Sequence, residues 1–141
     1  MKSSKKVLFL CTANSCRSQM AEGLINHFLP HKWQAVSAGI SPSIVNPRAI
    51  QVMSEIGIDI SFHRSKSVTE FLPQDDLDLV ITVCDKAKEN CPLFLKPVEQ
   101  IHLGFTDPAP YDLEPDETAL PKFRRLRDEM KEVLVSFLDK Y

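Results

Sequence analysis

The chain has 141 residues, enough for one ordinary domain and cramped for two independent cores. With 43% hydrophobic and 26% charged residues it does not read as disordered or fibrous. Lys and Arg total 17 against 19 Asp and Glu, and the net charge of −2 gives no support to nucleic-acid or anionic-membrane binding through bulk charge. In chain order, Lys2, Lys5 and Lys6 precede a short apolar run, Val7 to Leu10. The run is too short for the apolar region of a signal peptide, and Arg17 and Glu22 follow with no small-residue cleavage site. No stretch approaches the roughly 18 apolar residues of a membrane span. A cytoplasmic protein is expected, formed by a single domain over residues 1–141.

Val7 to Leu10 predicts a strand buried on both faces. Met20, Ala21, Leu24, Ile25, Phe28 and Leu29 form one helical stripe ending near Pro30. Gln34 to Ala38 predicts a second strand with a turn at Gly39. Asn46 before Pro47 is an N-cap followed by proline at the first helical position, with Ile50, Met53 and Ile56 as the buried face and Gly57 as the stop. Leu77 to Val83 and Val98 to Leu103 predict two more strands. The residues from Phe105 to Leu120 read as a long acidic, proline-rich loop, either a lid or a passive solvated segment. Pro121 is expected to open the last helix, with Phe123, Leu126, Met130, Val133, Leu134, Phe137 and Leu138 on its buried side. Short buried strands alternating with helices predict an α/β fold built on a parallel sheet. Ligands in such sheets lie beyond the C-terminal strand ends. Cys11 and Cys84 both fall at such ends, so they are expected to be neighbours.

Four cysteines (Cys11, Cys16, Cys84 and Cys91) allow disulfides, metal sites or reactive thiols. The spacings Cys-x4-Cys and Cys-x6-Cys fit poorly with the short ligand pairs of zinc sites. The four histidines, His27, His31, His63 and His102, show no metal-ligand spacing and read as structural or surface residues, and Trp33 reads as packing. The loop Cys11-Thr12-Ala13-Asn14-Ser15-Cys16-Arg17-Ser18 lies between strand and helix. Its backbone N–H groups and the helix N-terminus form an anion trap, to which Arg17 adds a planar fork. The same field is expected to lower the Cys11 thiol below the ~8.5 of a free cysteine, with Ser18 as a possible donor to the thiolate. Asn14 tolerates a left-handed backbone. Cys16 has no assigned chemistry and reads as a spectator.

This loop, continuing Gln19-Met20-Ala21-Glu22-Gly23, resembles the low-molecular-weight tyrosine phosphatase superfamily, in particular its thioredoxin-coupled arsenate reductase branch. Ser37-Ala38-Gly39, Asn46-Pro47, Gly57 to Ser61, Cys84 with Cys91-Pro92, and Gly104-Phe105 leading to Asp107-Pro108-Ala109 carry the resemblance over nearly the whole chain. It implies a three-layer fold, a four-stranded parallel sheet flanked by helices. It also implies arsenate as substrate, bound by Thr12, Ala13, Asn14, Ser15, Cys16, Arg17 and Ser18. Cys11 is then the nucleophile and Asp107 the acid, although an aspartate before proline is by default a turn former. Cys84 and Cys91 carry a relay through Cys11–Cys84 and Cys84–Cys91 disulfides, and thioredoxin is the electron donor. No tightly bound cofactor and a monomer are expected. Many members of the branch bind potassium at positions matching Asn14, Glu22 and Ser37, plus a threonine and an aspartate. Here Arg64 and Lys66 replace those two, so the Lys66 ammonium is expected in place of the ion, paired with Glu22; a solvated surface lysine is the alternative. A phosphatase is the competing function, weakened because Ala109 and Pro110 stand where phosphatases of this type place aromatics. A redox or oxyanion sensor without turnover is the third reading.

Overall fold

A computed structural model describes residues 4–94 and 96–141. Four strands form one parallel sheet in the order β2-β1-β3-β4. They are β1 (Lys5–Cys11), β2 (Trp33–Gly39), β3 (Leu79–Thr82) and β4 (Glu99–His102). The helices are α1 (Arg17–Phe28), α2 (Pro47–Ser54), α3 (Asp85–Glu89) and α4 (Asp116–Lys140). Val7, Leu8, Phe9 and Leu10 of β1 are each fully buried, so both faces of the central strand are covered, as a continuous apolar run requires. α1, α2 and α4 pack against one another, while α3 meets β1 and β3. Asn46 caps α2 by accepting from the Arg48 N–H, and Gly57 takes the positive φ of 80° that ends this segment. Trp33 is buried and donates its indole N–H to the Leu138 carbonyl.

Four sequence expectations need correction. α4 begins at Asp116, and Pro121 lies inside it. The proline falls in the second turn on the exposed face, so the ladder loses one bond near solvent, while Asp116 and Glu117 favour the helix start through its dipole. Val133 is 38% exposed rather than buried; the inner face of α4 is set by Phe123, Leu126, Met130, Leu134 and Leu138. In α2 the buried residues are Ala49, Val52 and Met53, so Ile50 and Ile56 flank the buried stripe. The Phe105–Leu120 stretch is thus only partly loop. It contains a 3-10 turn, Ala109–Leu113, and the first turn of α4. Arg48 of α2 fastens it, donating to the carbonyls of Tyr111 (2.7 Å) and Glu114 (2.5 Å) and pairing with Asp116 at 3.0 Å.

Candidate active site

β1 and β3 are adjacent and parallel, with Leu10 opposite Thr82. Their C-terminal ends deliver Cys11 and Cys84 to one place, as expected. The loop after β1 curls because its carbonyls are all turned outward. Ile40 N–H donates to Cys11 O, Ser41 to Thr12 O, Ser43 to Ala13 O and Asn46 to Ser15 O, at 2.8–3.1 Å. The Gln19 amide takes Asn14 O. With these carbonyls satisfied by the segment after β2 and by Gln19, the loop's N–H groups are the ones available to an anion. Asn14 sits at φ 49° and is fully buried. Its side-chain N–H₂ donates to Ser18 and Ser37 hydroxyls, while its Oδ1 accepts from Gln19 and the Lys66 backbone. This one side chain therefore ties α1, β2 and the segment after α2 to the loop.

Gly39 is the unseen requirement of that curl. A Cβ on it would lie 2.7 Å from Thr12 O and 2.9 Å from Asn14 N, both backbone atoms. No side chain fits between β2 and the loop.

The loop borders an open cleft of about 490 Å³ lined by Cys11, Arg17, Cys84, Asp107 and Asp112 among others. Arg17 is nearly buried; it donates to Phe105 O at 3.1 Å and lies 3.6 Å from Asp107 Oδ1. That carboxylate is half exposed and also accepts from Ala109 N–H at 2.9 Å, so the Asp-Pro turn aims it over the cleft. Ser18 accepts from Asn14, which leaves its own hydrogen for another partner. Cys16 points into α1, its thiol 3.5 Å from Met20 Sδ, and burial pushes it up to about 12.

Cys84 lies 3.2 Å from the Thr12 hydroxyl and is hydrogen bonded to Cys11. Donation from Cys11, Thr12 and the Ala87 N–H outweighs partial burial and holds the Cys84 thiol down to about 5. Cys11 moves the other way. Its bond to Cys84 and its burial raise it, against the pull of Arg17 and the Thr12 N–H. The two sulfurs therefore share one proton and titrate as a pair, so the anion favoured by the loop's field belongs to Cys11 and Cys84 together rather than to Cys11 alone. Between pH 5 and 9 the folded chain holds one proton fewer on this pair than the unfolded chain, so the pair adds stability as pH rises across that window. Above about 9 the sign reverses, because the unfolded chain loses both protons and the folded chain keeps one. Thiolate absorbance at 240 nm should show one step near pH 5, and Thr12→Val should move it upward by removing a donor. An unmoved midpoint would contradict the assignment. Cys91 is partly buried, and burial raises its thiol. All four cysteines are free.

Behind the loop lies a polar cluster that sequence reading caught only in part. Glu22 accepts from Ser37 at 2.7 Å, with His63 at 3.3 Å and the Lys66 ammonium at 3.7 Å. The Lys66 side chain is 11% exposed, so it is not a solvated surface lysine. Its ammonium also donates to Arg64 O, whereas the Arg64 side chain faces outward in a bidentate pair with Glu70. Gln19 and His63, 2.9 Å apart, were not singled out from sequence, since neither residue type signals a site by itself. Among the described residues, no group of three or more His, Cys, Asp or Glu is placed to hold a metal ion. No helix there is long and apolar enough to cross a membrane.

The family model described as low molecular weight phosphotyrosine protein phosphatase matches residues 6–140. The chain belongs to this family. "Arsenate reductase 2" of Staphylococcus epidermidis is 44% identical over 135 residues, covering 94% of this chain and 95% of the relative. A solved arsenate reductase in a phosphate-binding state is 36% identical with a TM-score of 0.75, covering 96% of this chain and 98% of that one. A low molecular weight protein tyrosine phosphatase from T. tengcongensis is 30% identical with a TM-score of 0.73, covering 97% and 99%. The four-stranded parallel sheet with flanking helices is the family architecture expected from the sequence.

Proposed function

We propose that this member of the family is an arsenate reductase that works through a relay of three thiols. The observation that carries this reading is the placement of a second cysteine, Cys84, in hydrogen-bond contact with the loop cysteine Cys11. Hydrolysis of a phosphoenzyme needs water, not a second thiol. The identities to proteins named arsenate reductase support the same conclusion.

In the first step Cys11 sulfur attacks arsenic(V) of arsenate held by the Thr12 to Ser18 amides and Arg17. The proton shared by the two sulfurs passes to Cys84 as Cys11 attacks, an As–O bond breaks, and Asp107 delivers the proton that lets the oxygen leave as water. In the second step Cys84 sulfur attacks Cys11 sulfur. A Cys11–Cys84 bond forms as the Cys84 proton passes to an arsenic oxygen, the S–As bond breaks, and its electron pair reduces arsenic to the trivalent state, which leaves as arsenite. Cys91 then attacks Cys84, releasing the Cys11 thiolate and leaving a Cys84–Cys91 disulfide. A dithiol protein such as thioredoxin closes the cycle by reducing that bond. A relay that must return to three thiols in each cycle suits a reducing compartment such as the cytoplasm, and one complete site per chain suits a monomer.

Lys66 stands where potassium sits in many relatives of this branch, and its ammonium supplies the positive charge facing Glu22. The residues present do not fit an additional cation, since Lys66 and His63 already crowd that carboxylate. Replacing sodium by potassium at constant ionic strength should leave both KM for arsenate and Tm unchanged; a selective gain with potassium would refute this.

The phosphatase reading is weaker because Tyr111 packs under the Lys122 ammonium at 4.4 Å, and none of the described residues lining the cleft is aromatic. The deciding experiment is arsenate-dependent NADPH consumption with thioredoxin and its reductase, beside aryl-phosphate hydrolysis by the same sample. Sustained consumption supports the reductase. Fast ester hydrolysis without it favours a phosphatase, and arsenate binding or thiol oxidation without turnover favours a sensor.

A further inference from the structure

Cys84 lies between a fixed segment and a releasable one. Before it, β3 is held by the sheet, with Val83 N–H on Leu10 O, Leu103 N–H on Thr82 O and Phe105 N–H on Val83 O. After it comes α3, only five residues long. One side chain spans this junction. His102, from β4, has Nδ1 2.9 Å from the Thr82 hydroxyl and Nε2 3.1 Å from Asp85 Oδ1. It thus grips the chain on both sides of Cys84.

The donor inventory fixes how it does so. An Asp85 carboxylate only accepts, so His102 Nε2 carries a hydrogen, and Nδ1 of the neutral ring accepts the Thr82 O–H. In the charged ring Nδ1 donates to Thr82 instead, so both contacts persist in either state. Gly104 leaves room for the ring, because a Cβ there would meet His102 Nε2 at 3.0 Å and Asp85 Oδ1 at 3.9 Å. The two bonds differ in strength. Thr82 is buried in the sheet, whereas the Asp85 carboxylate is 89% exposed, and an exposed polar contact is easily broken. The contact to α3 is therefore the one that gives way first.

We propose that His102 is a positioning residue for Cys84, holding its sulfur toward Cys11 by bridging Thr82 and Asp85, and that parting of His102 from Asp85 accompanies the passage of Cys84 to Cys91. The assignment rests on the thiol relay. It adds no chemical step: the disulfide still forms as Cys84 attacks Cys11 and arsenic takes the electron pair.

The test uses the full chain in a Cys91→Ser background, which stops at the Cys11–Cys84 disulfide. Arsenite release is followed in a single turnover. His102→Ala should slow it about tenfold, in keeping with the steep dependence of such steps on sulfur placement. His102→Gln, whose amide can still donate to Asp85, should recover most of the rate. With Cys91 present, mild oxidation of His102→Ala should raise the proportion of Cys84–Cys91 over Cys11–Cys84 disulfide, read by peptide mass mapping. Binding of inorganic phosphate should be unchanged. Wild-type release rates and an unaltered disulfide ratio in His102→Ala would overturn the assignment, as would loss of phosphate binding, which would place its effect in the loop. If the Cys91→Ser chain with His102 intact releases no arsenite, the relay itself fails.

Discussion

Cys84→Ser is expected to stop turnover after the first covalent event. Cys11, Arg17 and Asp107 remain in place, so the variant should still bind arsenate and form the Cys11–arsenic adduct. It cannot supply the sulfur that breaks the S–As bond, so no electron pair reaches arsenic. Steady-state, thioredoxin-linked turnover should fall by about three orders of magnitude or more, as for residues that act as a chemical unit. The serine hydroxyl preserves shape but is a far poorer nucleophile toward sulfur. The variant should also lose the thiolate step near pH 5, since the pair of sulfurs that shares one proton is broken. Sustained multiple turnover by Cys84→Ser would sink the relay.

The second large effect belongs to a residue with no chemistry of its own. Gly39→Ala should disrupt the oxyanion loop, because the added methyl would press on Thr12 O, Asn14 N and Ala13 C at 2.7, 2.9 and 3.0 Å. These are backbone atoms of the loop and cannot swing aside as a flexible side chain would. Overpacking of this kind costs about 1–3 kcal/mol. For a chain of this length that corresponds to a Tm lower by roughly 3–10 °C. The greater loss should be in function, since a loop displaced by a few tenths of an ångström no longer converges its N–H groups. Affinity for inorganic phosphate, measured by calorimetry, should drop at least about tenfold, or roughly 1.4 kcal/mol. Unchanged affinity in a folded Gly39→Ala chain would show that the loop tolerates the contact.

These two positions illustrate unequal legibility. The Cys11-to-Ser18 loop was readable because its information is local: strand, turn residues and helix stripe follow in sequence. Gly39 was readable as a turn, but its close approach to the loop comes from the β1–β2 pairing, which sets Cys11 opposite Gly39. His63, Gln19 and His102 were passed over because each works through a partner distant in sequence. Gln19 and His63 are 44 residues apart, and His102 reaches Asp85 across 17. The acidic stretch after Asp107 read as a loop because Pro121 looked like a helix start. Asp116 and Glu117, with Arg48 holding the turn before them, begin the helix earlier.

Sequence alone determined the order of the four strands and of α1, α2 and α4, the parallel α/β class, the anion-binding loop and the proximity of Cys11 and Cys84, because periodicity, capping residues and strand-end rules are properties of short segments. Tertiary structure decided that those two cysteines titrate as a pair. The loop's field argues for a Cys11 thiolate, and that argument holds for an isolated loop. Packing β3 beside β1 brings a second sulfur with donors of its own, the Thr12 hydroxyl and the Ala87 N–H, so one proton and one anion are shared between Cys11 and Cys84. Composition gave four equivalent thiols and a net charge of −2. Only the folded arrangement, where distance and burial set each proton's position, distinguishes them.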